Sequence, residues 1–366
     1  MTKSNFFGLQ ALVFSLVAAA FTTVYITQPV LPILQREFGV SASTASLSVS
    51  AVILGIALAN LPFGMLADRF PVRRLILAGG AVVAACGFFC AATNNLALLV
   101  AARFLQGLFI PALTTCLAAY LSGALPLSKL NVVMGAYVSA TVAGGLSGRL
   151  LGGWIHPPLH WRYAFVTASL LLLAATVVTV RWLPEGDRQI ITTEKAVGFR
   201  ALLSRRDLRR TYLVAFGGMF VFSSVFNYLP FYLAGPPFYA STQVITLMYL
   251  SYLIGVFIGP LAGQLSNKIG NGGTMVLGAT VFALAIFITL IKSMLAIAAA
   301  LALVCAGFFA IHAAAAGSLN RKLTSSRGRA NSLYVLLYYL GGASGITLSG
   351  YAYGHTGWPG VAALGS

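Results

Sequence analysis

GMLADRFPVRR, Gly64 to Arg74, puts one carboxylate, three guanidinium groups and a proline between two long apolar runs. The stretch is a turn, too short to be a domain. A weaker copy, GQLSNKIGNGG, runs from Gly263 to Gly273, again between apolar runs. A short loop duplicated between apolar segments marks a chain built as two copies of one membrane unit. A carrier is therefore the leading expectation before any chemistry is considered.

Working outward, the composition agrees. Of 366 residues, 59% are hydrophobic and 8% charged, with mean hydropathy +0.89. A soluble domain carries roughly 25% charged residues, so a soluble core is excluded. Apolar runs of about 20 residues recur from end to end, each long enough to cross a hydrocarbon layer about 30 Å thick. The net charge of +17 would suggest a nucleic-acid partner in a soluble protein. Here basic residues gather in alternate loops, the pattern that orients a membrane chain, and no nucleic acid is expected. Cys86, Cys90, Cys116 and Cys305 all fall within apolar runs without metal-ligand spacing and read as packing residues. The first run ends in YITQPVLPILQREF rather than a small-residue cleavage site, so it reads as a retained span.

The expected spans are about 8–33, 45–66, 73–93, 95–122, 131–154 and 162–183, then 211–233, 243–266, 273–291, 294–318 and 328–352. Each is assigned as a helix, which satisfies its own backbone in lipid. The chain thus divides into a six-helix half at 1–183, a basic cytoplasmic linker at 184–210 and a second half at 211–366. With the N-terminus inside, eighteen of the 23 Lys and Arg lie on the cytoplasmic side. Arg36, Arg162 and Lys292 fall outside.

The repeat extends beyond the opening loop. GGLSGRLLGG (Gly144 to Gly153) aligns without gaps on GGASGITLSG (Gly341 to Gly350), and Trp161 and Trp358 keep the same offset. The opening loop and the pair Gly107 and Gly307 shift it by two or three residues. These anchors imply two homologous, parallel six-span halves in an all-α polytopic membrane protein. After Tyr353 the repeat calls for a twelfth span, where the chain reads GHTGWPGVAALGS. Either the twelfth helix is truncated, which is the expectation, or the protein carries eleven full spans.

A family resemblance rests on four of these stretches. GMLADRFPVRR resembles G-x-L-A-D-R-x-G-R-R, the loop signature of the major facilitator superfamily between spans two and three. Arg103-Phe-Leu-Gln106-Gly107 is similar to its span-four motif, R-x-x-Q-G. Gly144-x3-Gly148-Arg149-x2-Gly152-Gly153 resembles the span-five motif of its exporters, and YITQPVLP is similar to the proline-bearing motif of its twelve-span drug/proton antiporter branch. Pro71 and Val72 depart from the loop pattern, and Arg149 stands where exporters carry proline. The resemblance implies the major facilitator fold, transport by alternating access, and a clamping role on the inner side for Asp68.

The candidate residues follow. Asp68 with Arg69, Arg73 and Arg74 suits a reversible lock, in which charge pairs hold one mouth shut and are hydrated in the other state. Gly64 belongs to the same gating loop, and Asn267 occupies the matching position in the second copy. Arg103 is about 12 Å from the outer end of its span at 1.5 Å per residue, near the limit of snorkelling, with Gln106 and Gly107 on its face. A substrate or coupling role is expected for it over a structural hydrogen-bond hub. Arg149 is nearer the outer end and reads equally as a snorkelling arginine. Gly144, Gly148 and Gly152, with Gly153, and their counterparts Gly341 and Gly345 offer flat faces for close helix approach. His312 sits inside a span, either a proton carrier or, as is more common, a structural histidine. Tyr25, Gln28, Asn227, Tyr228 and Tyr338 fall on spans that line the cavity in the resembling family.

Asp and Glu total six, and no carboxylate lies mid-membrane. Any proton coupling must then use Glu37, Asp68 or His312, and two interior arginines favour anionic or neutral substrates. There is no phosphate-binding Gly-Lys loop, H-E-x-x-H or paired Cys-x2-Cys, so no catalytic residue, metal or cofactor is expected. The expectation is a bacterial inner-membrane secondary transporter, monomeric in the bilayer, moving a small molecule and coupled at most to protons. Efflux is the expected direction. An uptake carrier and a non-transporting membrane sensor with the same fold remain the alternatives.

Overall fold

The computed structural model describes residues 3–183, 198–323 and 327–366. Most of the expected linker, 184–197, lies outside the described residues. Within them every regular element is helical, as the lack of water partners for the backbone in lipid requires. The fifteen α-helices, in chain order, are α1 (Lys3–Val24), α2 (Leu31–Phe38), α3 (Ala42–Ala67), α4 (Val72–Ala92), α5 (Leu96–Leu113), α6 (Thr115–Ala124), α7 (Leu127–Ile155), α8 (Arg162–Trp182), α9 (Phe199–Ser204), α10 (Arg206–Ala234), α11 (Thr242–Met248), α12 (Ile254–Ile288), α13 (Met294–Arg321), α14 (Arg327–Thr356) and α15 (Trp358–Gly365). Short 3-10 turns at Gln28–Val30 and Tyr249–Leu253 join α1 to α2 and α11 to α12.

Among the described residues, nine stretches are long and apolar enough to cross a membrane. One of them, Thr242–Ile288, has 47 residues, enough for two crossings at about 20 residues each. Gly270 divides it: its φ of 79° is a left-handed conformation that costs a glycine little, and it breaks α12 where the repeat places a loop. Elsewhere side chains supply the starts. Asn95 Oδ1 accepts from Leu98 N at 3.2 Å to open α5, and Ser241 and Ser293 cap α11 and α13 in the same way. Pro71 and Pro126 stand immediately before α4 and α7, where a missing N–H costs nothing.

The chain forms two compact units, one of residues 1–30 and 51–193, the other of 31–50 and 194–366. In the first unit, α1 packs on α7, and α4 on α5 and α8. A Cβ at Gly144, Gly148 or Gly152 would run into the backbone carbonyls of Ala18, Thr22 and Ile26, so three glycines one turn apart set the α1–α7 approach. Gly153 beside them is buried. The second unit repeats the device. α10 packs on α14, and a Cβ at Gly341 or Gly345 would meet the carbonyls of Phe216 and Phe220. Gly55 and Gly107 likewise let α3 and α5 touch backbone to backbone.

Below these crossings the second unit has an apolar core of Leu202, Leu208, Tyr212, Leu319, Leu333 and Tyr334, among others. It joins the described part of the linker, through α9, to α10, α13 and α14. Lys322 closes its edge, donating from Nζ to Asp207 O at 3.1 Å and to Thr211 Oγ1 at 3.2 Å.

Candidate functional site

The chemistry of the first unit gathers where α1 stops. α1 ends at Val24, and residues 25–27 leave the helix before the 3-10 turn Gln28–Val30, so the last carbonyls of α1 lack intrahelical partners. Arg103, fully buried, supplies them from α5. It donates through Nη1 to Thr23 O at 2.7 Å and through Nη2 to Val24 O. Nη1 also donates to Gln106 Oε1 at 2.6 Å, and Gln106 Nε2 donates to Val83 O at 2.9 Å. Phe165 lies under the guanidinium at 5.6 Å. The expected i, i+3 pair of Arg103 and Gln106 thus ties α5 to α1 and α4. The planar guanidinium donates to both carbonyls and to Gln106 at once.

One turn further along the break, three other candidates meet. Arg149 from α7 donates through Nε to Gln28 Oε1 at 2.7 Å and through Nη1 to Gly145 O at 2.7 Å. Its guanidinium lies 4.0 Å from the centroid of the Tyr25 ring, within cation–π range. Arg149 is 2% exposed and Gln28 1%, so the arginine turns inward and does not snorkel. Thr27, between Tyr25 and Gln28, is buried with a hydroxyl that has no hydrogen-bond partner. The arrangement holds a positive charge against a ring and a side-chain amide. That set suits an anionic or strongly polarised group.

In the second unit the candidates fall into two places. Asn227 and Tyr228 on α10 are fully buried. Asn227 Nδ2 donates to Ser46 Oγ at 2.7 Å while its Oδ1 has no partner. Tyr228 donates from its hydroxyl to Ile346 O at 2.8 Å and stacks on Tyr353 at 5.3 Å. His312 and Tyr338 lie in an aromatic group deeper along α13 and α14. His312 Nδ1 is 2.9 Å from the Tyr334 hydroxyl, and its ring is 5.1 Å from that of Tyr338 and 6.1 Å from that of Phe308. Phe222 from α10 stacks on Phe308 at 3.8 Å. Sequence reasoning named His312 and Tyr338 but not Tyr334, Phe308 or Phe222. The signal available was the i, i+4 pairing of Tyr334 with Tyr338 and of Phe308 with His312.

The loop candidates are placed as follows. Asp68, Arg69 and Arg74 are exposed, and Arg73 is half-buried. Arg73 donates through Nε to Leu183 O at 3.1 Å, which fixes the end of α8 to the start of α4. Gly64 faces Thr115, whose Oγ1 donates to Asn60 Oδ1 at 2.5 Å. Asn267 is exposed on α12. Among the described residues, no group of three or more His, Cys, Asp or Glu side chains could hold a metal ion.

Comparison with known proteins places this architecture. The Major Facilitator Superfamily model matches residues 13–319 and 238–366. The inner membrane transport protein YnfM of Escherichia coli (strain K12) is 30% identical over 364 residues, covering 98% of this chain and 87% of that one. The uncharacterized MFS-type transporter YybF of Bacillus subtilis (strain 168) is 26% identical over 362 residues, covering 96% and 89%. Among solved structures, a bacterial homolog of the human lysosomal transporter Spinster, inward-facing and unoccupied, superposes with TM-score 0.78 at 16% identity, covering 96% of this chain and 82% of that one. The nucleoside transporter NupG gives TM-score 0.78 at 12% identity, with 98% and 97% covered. Motifs, duplicated glycine crossings and whole-chain matches converge, and the chain belongs to the Major Facilitator Superfamily of membrane transporters.

Proposed function

We propose that this secondary transporter exports a small anionic or neutral solute by alternating access, as a monomer in a bacterial inner membrane with its N-terminus in the cytoplasm. The observation that carries the substrate class is Arg149. It stands at the exporter proline position, inside the membrane, held on Tyr25 and Gln28. No carboxylate lies mid-membrane to complement a cation, and a buried guanidinium repels one. The exporter-like glycine series of α7 and the proline-bearing break after α1 support the outward direction. Asp68, Arg69, Arg73 and Arg74, with Gly64 and Asn267, gate the cytoplasmic mouth in this reading. Asn227, Tyr228 and Tyr338 line the second half of the path, and His312 carries any coupled proton. Basic residues on alternate loops support the orientation.

Flux in right-side-out and inverted vesicles tests the proposal, across a panel of organic anions, neutral metabolites and lipophilic cations, with and without a pH gradient. Export of an anionic or neutral solute is expected, and Arg149→Met should weaken it about tenfold or more, the loss of one charge-assisted contact. Preference for lipophilic cations, unchanged in Arg149→Met, would overturn the substrate class. Net movement inward would reverse the direction.

A further inference from the structure

We infer that the first unit carries a binding site for an anionic phospholipid, with the lipid phosphate on Arg162. α4 runs 21 residues from Val72 to Ala92, about 30 Å at 1.5 Å per residue, so Ala92 lies at the opposite end of the bundle from Asp68. There the tips of α4 and α8 flank an open cavity of about 460 Å³ whose lining includes Ala92, Asn94, His160, Arg162, Tyr163 and Val166. The volume suits a phosphate with a small polyol attached. The lining contains no carboxylate.

Arg162 is fixed in the cavity wall. Its Nη2 donates to Thr93 O at 3.0 Å and to Asn94 Oδ1 at 2.9 Å. The guanidinium lies 4.5 Å from the centroid of the Trp161 ring, and Trp161 is itself buried. His160 Nε2 is 3.4 Å from Nη1. A guanidinium held in one plane is a strong receptor for a phosphate, because its orientation need not be frozen again on binding. Asn94 and His160 beside it can meet headgroup hydroxyls.

The surroundings identify the phosphate as a lipid's. Tyr163, Val166 and Leu170 share one face of α8 at i, i+3 and i+7. Tyr163 and Val166 line the cavity, and Leu170, about 10 Å deeper at 1.5 Å per residue, is 56% exposed. Phe89 flanks the site on α4 and is also exposed. An apolar stripe running down from a cationic cavity matches an amphiphile whose head sits among interfacial aromatic residues and whose chains follow the helix. A free metabolite would gain nothing from the stripe. With the orientation proposed above the site faces the outer leaflet, a placement that rests on that reading. Lipid binding itself does not, so a failure of either is distinguishable.

The test uses the full chain in neutral detergent, titrated with phosphatidylglycerol, phosphatidylcholine or glycerol 3-phosphate. Retained lipid is read by native mass spectrometry and thermal stability in parallel. Phosphatidylglycerol should be retained and should stabilise, whereas the other two should do so far less. Arg162→Ala should weaken phosphatidylglycerol about tenfold, while Lys292→Ala, another exposed cation expected on the same side, should leave it unchanged. Ala92→Phe projects a ring into the cavity and keeps every charge, so it decides the matter should Arg162→Ala fail to fold. It too should weaken retention by about tenfold or more. Binding unaltered in both variants would refute the site. Equal protection by glycerol 3-phosphate would refute a lipid as its ligand.

Discussion

Adding a single methyl group to Gly148 tests the account of helix packing most directly. A Cβ there would run into the Thr22 carbonyl of α1, a backbone atom that cannot rotate away. Gly135 lies on the same helix with nothing within 4 Å of its Cβ position. Replacing a helical glycine by alanine gains roughly 0.5–1 kcal/mol of backbone propensity where space allows. Forcing a methyl into a packed contact costs roughly 1–3 kcal/mol. Gly135→Ala should therefore be neutral or mildly stabilising and Gly148→Ala destabilising; the propensity gain is common to both, so the midpoints should differ by roughly 2–12 °C at about 2–4 °C per kcal/mol. The protein carries its own reporter, since Cys86, Cys90, Cys116 and Cys305 are all free and buried. A thiol-reactive fluorogenic maleimide stays dark until unfolding exposes them. Gly345→Ala, which meets Phe220 O in the second unit, should behave like Gly148→Ala, and the two losses should add. If Gly148→Ala melts within a degree of Gly135→Ala, the close backbone approach is not what positions α7.

Two further outcomes follow from the sites. Arg103→Ala leaves the Thr23 and Val24 carbonyls and Gln106 Oε1 without their donor. At roughly 1–3 kcal/mol for each buried group left unsatisfied, most of the protein should be lost as misfolded material in fluorescence-detected gel filtration, and Arg103→Lys should recover only a minor part. Asp68→Asn changes an exposed residue, so its melting point should hold while flux falls roughly 5- to 150-fold, the span of an ordinary conformational coupling. A mutant that melts early yet transports at the normal rate would remove Asp68 from the gate.

Most of the spans were legible in the sequence because they are long apolar runs, a signal set by bilayer thickness; α7, which carries Arg149, is not among the described stretches apolar enough to cross by that measure. Even the break inside α12 was legible, because the repeat placed a loop at Gly270. The glycine crossings were legible too: Gly144, Gly148, Gly152, Gly341 and Gly345 advertise a flat face by spacing alone. The meaning of the buried arginines was not. Arg103 and Arg149 look alike in an apolar run, and only the end of α1 at Val24 separates a guanidinium that completes a helix terminus from one laid over a tyrosine ring. That terminus lies some eighty residues upstream of Arg103, beyond the reach of any local pattern. The aromatic group around Phe308 was hidden for the same reason, since α10, α13 and α14 each contribute one ring or two. Arg162 read as one more outer-loop charge because its cavity exists only once α4 and α8 are side by side.

The division of the chain into residues 1–30 with 51–193, and 31–50 with 194–366, bears on what a protease could achieve. The polypeptide passes from one body to the other at three points, after residues 30, 50 and 193. A cut in the linker severs one thread and leaves two intact. The amino-terminal fragment would still have its α2 region embedded among the helices of the other body. To separate them, a nick must be followed by the extraction of residues 31–50 from the second unit, so a clipped transporter should still migrate as a single particle.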